Sequence, residues 1–347
     1  MIETLQHRIR EAAQRRSPLR VRGGGTKDFY GNALHGEILD TRGYAGIVAY
    51  EPTELVVSAK CGTSLAELEA TLAANQQMLP FEPPHFGAMA TVGGCVAAGL
   101  SGPRRASAGA LRDFVLGVKL VDGRGQVLAF GGQVMKNVAG YDVSRLIAGS
   151  LGTLGVIAEV SLKVAPIPAH EITLRLEAPQ SRALELMNRW AGQPLPISAT
   201  AWHDGELNVR LSGSEAGVRA AATALGGESI DGGLWRGVRE HTDRFFAGDE
   251  PLWRLSLPSV APPLGLAGKE LIEWNGALRW LKSAASASTV REAALRLKGH
   301  ATLFRARDKG AGCFAPLEPV LERLHRQLKA AFDPAGVLNP GRLLAEG

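Results

Sequence analysis

Ala90-Thr-Val-Gly-Gly94, Gly102-Pro-Arg-Arg105, Lys136-Asn-Val-Ala-Gly-Tyr-Asp142 and Gly149-Ser-Leu-Gly-Thr-Leu-Gly-Val-Ile157 follow one another within the span from Ala90 to Pro166. Glycines recur there beside Thr and Ser, where backbone N–H groups approach a polyanion without an intervening side chain. Far upstream, Arg22-Gly-Gly-Gly-Thr-Lys27 repeats the pattern at the end of the strand candidate Leu19-Arg-Val-Arg22. It offers a row of N–H donors, one hydroxyl and flanking cations, the groups a pyrophosphate needs. It is not a Walker A loop, because no Gly-Lys-Ser/Thr closes it. Nor is it G-x-G-x-x-G, because Asp28 stands where the third glycine would. Alone, such a loop is more often a plain turn than a phosphate cradle.

The other segments carry similar alternatives. Ala90 to Gly94 with Ala97, Ala98 and Gly99 presents a small-residue surface for a flat ring system, or a tightly packed helix contact. On the first reading, Val at Gly24 or Gly93 blocks a ligand and disturbs the fold less. His85 either reaches that ligand or caps the proline loop. Arg112-Asp113 after Gly109 is, on its own, a common surface charge couple. Gly149 to Ile157 runs its glycines into an apolar strand, with Tyr141 and Asp142 as scaffolding; Lys136 is a cation opposing developing negative charge or, as is more frequent, a solvated lysine.

Outward from these loops, periodicity predicts a helix over Ile2–Arg15, strands at Leu19–Arg22, Ile47–Tyr50 and Leu55–Lys60, and a helix after the capping box Ser64-x-x-Glu67 with Leu65, Leu68 and Leu72 as its buried stripe. Val115–Val121 and Gln126–Phe130 flank the turn Asp122-Gly-Arg-Gly125. Val156 to Val164 alternates as a strand, and Pro166 and Pro168 end it at a domain boundary. Beyond His170 the glycine motifs vanish. Thr173–Leu176 and Leu207–Leu211 read as strands, and Arg182–Trp190 and Ser214–Leu225 as helices, a compact α+β unit. Leu317, Leu321, Leu324 and Leu328 mark a last helix before a turn-rich Asn339-Pro-Gly341 tail.

With 347 residues the chain suits two domains, and 45% hydrophobic against 21% charged residues describes a soluble globular protein. The net charge of +5 is spread along the chain, without the basic, aromatic-studded runs of nucleic-acid binders; it favours phosphate-bearing or anionic ligands. Cys61, Cys95 and Cys313 are too few for an iron–sulfur cluster and fit a reducing cytoplasm. The charged N-terminal segment is not a signal peptide, and the Gly/Ala-rich stretch from Phe86 to Pro103 would span a membrane poorly. No G-x-S-x-G or H-E-x-x-H is present.

Taken together, the glycine blocks resemble the FAD-binding domain shared by vanillyl-alcohol oxidase, cytokinin dehydrogenase and the D-lactate and glycolate dehydrogenases, the PCMH-type fold. The likeness extends through Glu82-Pro-Pro-His85, Leu111-Arg-Asp-Phe-Val-Leu-Gly117, Leu195-Pro-Ile-Ser198, Trp274-Asn-Gly-Ala-Leu-Arg-Trp-Leu-Lys282 and Gly299-His-Ala-Thr302. Over essentially its whole length the chain resembles the smaller FAD-binding subunit of bacterial glycolate oxidase. This implies an α+β protein with a two-lobed PCMH-type domain over 1–168, a reduced α+β cap over 169–310, and a C-terminal helix and tail over 311–347 returning to the FAD domain.

The resemblance implies non-covalent FAD, held by Arg22, Gly23, Gly24, Gly25, Thr26 and Lys27, by His85, Ala90, Thr91, Val92, Gly93, Gly94, Ala97 and Gly99, by Gly109, Arg112 and Asp113, and by Gly155, Val156 and Ile157. It also implies a cytoplasmic complex, with attachment at the inner membrane left open, joining a larger flavin subunit and an iron–sulfur subunit to oxidise glycolate, a 2-hydroxy acid, to glyoxylate. One departure matters. Catalytic relatives carry His-x-Gly-Asp-Gly-Asn-x-His in the cap, whereas Trp202-His-Asp-Gly-Glu-Leu-Asn208 has one histidine, so no metal site and no catalytic residue is assigned. His203 then reads as a surface-turn residue, and Asp204-Gly205 as a hairpin turn. His300, at a strand edge, is left to face the flavin, and Arg279 to pair with an acid on substrate or partner. Trp235, Trp253, Trp274 and Trp280 mark either an interface or the cap's own core. A self-sufficient 2-hydroxyacid dehydrogenase and a flavin-free structural subunit are the competing readings.

Overall fold

The computed structural model describes residues 1–132 and 142–344. The positions Lys136 and Tyr141 lie outside the described residues. Strands from the first half build a five-stranded antiparallel sheet in the order Ile47–Glu51, Val56–Lys60, Val156–Lys163, Val115–Val121, Val127–Gly131. The alternation read in Val156 to Val164 becomes its central strand, with Val156, Ala158, Val160 and Leu162 buried. The Asp122 turn closes its outer hairpin because the buried carboxylate accepts from the N–H groups of Arg124 (2.9 Å) and Gln126 (2.8 Å). Ser64 caps the helix Leu65–Ala73, which sinks Leu65, Leu68 and Leu72 into the core beneath this sheet.

A smaller lobe lies beside it. The helix Ile2–Arg15 buries Leu5, Ile9 and Ala12 against a parallel pair, Leu19–Arg22 with Glu37–Asp40. The C-terminal segment returns to this pair. Leu19 N donates to Val337 O (2.7 Å), and Asn339 N donates to Leu19 O (2.9 Å).

The second half forms one antiparallel sheet of eight strands, in the order Glu228–Ile230, His170–Glu177, Glu206–Gly213, Ile197–His203, Lys269–Glu273, Leu278–Lys282, Leu252–Ser256, His300–Arg305. Three helices, Gln180–Ala191, Glu215–Leu225 and Ala287–Arg296, cover one face. The other face turns Leu252, Leu271, Leu278, Trp280 and Phe304 toward Ala98, Leu100 and Leu151 of the first half. Strand period alone separates these faces, since Leu271 packs inward on one side and Ile272 on the other.

Several expectations change in three dimensions. Trp235, Trp253, Trp274 and Trp280 are all buried, so they fill the core and offer no surface. Arg279 is fully buried and donates to the carbonyls of Gly276, Pro262 and Ala261, so it is turned inward and not toward a partner, and the acid whose charge acts on it is this chain's own Glu270. His203 ends a strand half-buried, its Nδ1 2.8 Å from Glu270 O, while Asp204 and Gly205 take the positive φ of a tight hairpin turn. The last helix is Pro319–Phe332, beginning after Leu317, and Leu321 and Leu324 stand about half exposed instead of forming a buried stripe.

Candidate functional site

The loop after Leu19–Arg22 lines a groove between the two lobes of the first half. Two joined hollows, about 530 and 370 Å³ of space unfilled by atoms and partly open, share Val21, Gly23, Gly94, Ala97, Leu151 and Asn339 as walls. Gly24, Gly25, Thr26 and Lys27 lead the chain across the mouth, and their N–H groups find no acceptor among the described residues. Four consecutive free donors in an irregular loop make an anion-binding concavity. The parent strand is held by Asn339, whose Oδ1 accepts from Val21 N (2.7 Å) while its Nδ2 donates to Leu151 O (2.6 Å).

The opposite wall is the helix Val92–Ala98. Thr91 caps it, its Oγ1 accepting from Gly94 N (3.2 Å). Gly94 and Ala97 face the groove, and Leu151 N donates to Ala97 O (2.8 Å), which ties the third wall to the second. That third wall continues through Gly152, Gly155, Val156 and Ile157. Gly152 has φ +72 and a Cβ there would meet Asn339 Nδ2 at 2.8 Å, so glycine is required for the close approach.

Charge is arranged around the loop. Asp28 takes the guanidinium groups of Arg20 (2.5 Å) and Arg22 (2.7 Å), fixing both. Lys27 Nζ donates to His85 O (3.2 Å) and lies 5.6 Å from the Phe86 ring centre; burial lowers its pKa. Arg342 stitches the following turn by donating to the carbonyls of Asp28 (2.9 Å), Tyr30 and Asn32, and burial pushes its pKa down to about 10. Cys61 lines the groove and Cys95 lies close by; burial pushes both thiols up to about 12, which keeps them protonated and unreactive at neutral pH.

The structure thus gathers Arg22 to Lys27, Thr91, Gly93, Gly94, Ala97, Gly155, Val156 and Ile157 around one groove. Ala90 and Val92 are core residues behind the wall, and Gly99 ends the helix with φ +65. Gly109, Arg112 and Asp113 lie off the groove; Asp113 accepts from Ala110 N (2.9 Å), and Arg112 is solvent-facing. His85 is held away by Glu69 (3.0 Å to Nε2), and its N–H donates to Glu240 (3.0 Å). His300 opens the edge strand of the large sheet and lines neither hollow.

Two glycines act otherwise than expected. A Cβ on Gly24 would stand 1.5 Å from Met89 O, and one on Gly93 would stand 2.5 Å from Cys61 Cβ. Both point into the protein, so substitution there breaks packing before it touches a ligand. Sequence reasoning missed Asn339 and Arg342 as walls, and had Leu151 only as part of the Gly149 to Ile157 segment. The return of the Asn-Pro-Gly tail to this domain was expected from the resemblance, but the particular bonds of Asn339 to a strand more than three hundred residues earlier were not.

Fold and groove together define a two-lobed FAD-binding protein of the PCMH type. Residues 1–131 match the family described as an FAD binding domain. Alkyldihydroxyacetonephosphate synthase has the same fold, with a TM-score of 0.70 at 15% identity, covering 98% of this chain and 76% of that one. D-lactate dehydrogenase of Archaeoglobus fulgidus is 26% identical over 402 residues, covering 97% of this chain and 88% of its own length. Glycolate oxidase subunit GlcE of Escherichia coli (strain K12) is 49% identical over 344 residues, covering 99% and 97%. The chain belongs to the GlcE family of glycolate oxidase subunits.

Proposed function

We propose that this chain is the FAD-holding small subunit of a glycolate oxidase complex, with the groove as its cofactor site. The observation that supports the site is the run of unpaired N–H groups over Gly24 to Lys27, flanked by Arg22 and the Lys27 amine. These groups suit a pyrophosphate, which takes N–H donors and cations in place of its water. Gly94 and Ala97 leave room for the rest of the dinucleotide along the helix wall. When bound, FAD supplies a two-electron acceptor for alcohol oxidation. The protein's part is to hold the anion, exclude bulk water from the groove and fix the C-terminal tail across it through Asn339.

The chain holds the cofactor without a covalent bond, since Cys61 and Cys95 are protonated and His85 is turned to Glu69. With His203 as the lone histidine of its cap hairpin, it works with a larger flavin subunit and an iron–sulfur subunit in the cytoplasm. Among the described residues, no helix is long and apolar enough to cross a membrane.

Purification and acid precipitation test the reading. Flavin should accompany the chain and pass wholly into the supernatant, and glycolate turnover with the native acceptor should need the partner subunits. Flavin-free protein that takes up no added FAD refutes the cofactor assignment, and full turnover by the isolated chain refutes the dependence on partners.

A further inference from the structure

The loop Glu82-Pro-Pro-His-Phe86 joins the two halves of the molecule, and its backbone is bent at both ends. Glu82 has φ 45 and Phe86 φ 53, left-handed values that residues other than glycine rarely take. Such backbone persists only where its surroundings hold it. Each bend carries a contact from the second half. The Glu82 carboxylate accepts from Arg104 N (2.9 Å) and from Arg210 Nη2 of the strand Glu206–Gly213 (2.9 Å). The Glu240 carboxylate accepts from His85 N (3.0 Å) and Phe86 N (2.8 Å), the first two N–H groups after the paired prolines.

Glu240 ends the helix Leu234–Glu240, where the helix dipole disfavours a carboxylate, and its side chain is only 16% exposed. The loop amides and Arg239 Nε (2.8 Å) fix it there. The grip passes on to the groove. His85 O accepts from Lys27 Nζ (3.2 Å), and the Phe86 ring centre lies 5.6 Å from the same amine. A Cβ on the next residue, Gly87, would stand 3.2 Å from Thr26 Cγ2, so this loop also borders the run of free N–H donors. Burial lowers the pKa of Lys27. Of the groups that pull it back up, the Cys95 thiol is protonated at neutral pH, which leaves the Glu240 charge.

We propose that Glu240 is a positioning residue for the nucleotide groove: by pinning His85 and Phe86 it sets the carbonyl that aims the Lys27 amine at a bound pyrophosphate. The second half therefore has to be docked on the loop for the groove to hold its anion at full strength, and an anion in the groove tightens that docking in return. This rests on the groove being the flavin site, and it assigns to the second half a part in cofactor binding that neither hollow shows, since Leu234–Glu240 lines neither.

The test titrates the full-length chain, freed of flavin, with FAD and with ADP, which carries a pyrophosphate but no flavin ring to touch the second half. Glu240→Ala should weaken both by about tenfold, with Glu240→Gln between because it keeps an acceptor for the loop amides. Lys27→Met should weaken both by about the same factor, and the double variant Lys27→Met/Glu240→Ala should fall little further, since one path carries both effects. A role in stability alone would instead make the two losses multiply. Losses that multiply, or wild-type affinity in a folded Glu240→Ala, overturn the proposal. Should Glu240→Ala fail to fold, hydrogen exchange on the unaltered chain decides: saturating ADP should slow amide exchange over residues 234–240, and unchanged exchange there overturns it. A chain that binds neither FAD nor ADP refutes the groove assignment and this inference with it. Normal binding by the unaltered chain that Glu240→Ala leaves intact refutes this inference alone.

Discussion

Gly94→Leu separates cofactor binding from folding. A Cβ at Gly94 meets Thr91 Oγ1 at 3.1 Å and nothing else outside its own helix within 4 Å, and the residue lines both hollows. The added isobutyl group therefore enters the groove. Replacing a helical glycine gains up to about 1 kcal/mol, and strain on the Thr91 cap costs about the same, so stability should stay within ~1 kcal/mol of wild type. Binding is another matter. Forcing the ligand past the new side chain is an overpacking cost of about 1–3 kcal/mol, or about a 5- to 150-fold loss of FAD affinity. Acid-released flavin and fluorescence titration with FAD measure the binding loss, and thermal unfolding measures the stability. Gly24→Ala is the contrast, because its Cβ collides with Met89 O at 1.5 Å and should lower the melting temperature. Wild-type flavin content in Gly94→Leu, or loss of its folded state, refutes the geometry.

Asn339→Ala strands Val21 N and Leu151 O and should cost about 1–3 kcal/mol, seen as a fall in melting temperature accompanied by weaker FAD binding. Arg279→Met leaves three carbonyls without their donor, so chemical denaturation should reveal lost stability while FAD affinity is unchanged; a partner-binding defect with normal stability would contradict the burial. The raised pKa of Glu273 keeps it protonated when the unfolded chain, with its ordinary value of 4.5, has lost the proton; stability is greatest below 4.5 and is lost as pH rises to about 7. Glu273→Gln should flatten that decline in denaturation curves taken across the interval, by on the order of 3 kcal/mol at its upper end.

Local chemistry made much of this legible from sequence. Ser64-x-x-Glu67 capped its helix, the alternation from Val156 became a central strand, and Asp204-Gly205 turned a hairpin, because each is settled by neighbours a few residues apart. The glycine loops pointed to a groove for the same reason, since free N–H groups and absent side chains are local properties. Direction was not local. Whether the Cβ positions of Gly24, Gly93 and Gly94 meet protein or empty space depends on Met89 and Cys61, which the fold alone brings there. Arg279 and Arg254 lie on neighbouring strands of one sheet and look alike in a sequence of alternating apolar and charged residues. Pairing of the strands sends the first to three carbonyls and the second toward a cavity that Glu273 and Trp280 line. Sequence determined which segments form strands, helices and anion-ready loops; tertiary structure decided which polar groups end with partners, because burial and long-range pairing are properties of the assembled sheets.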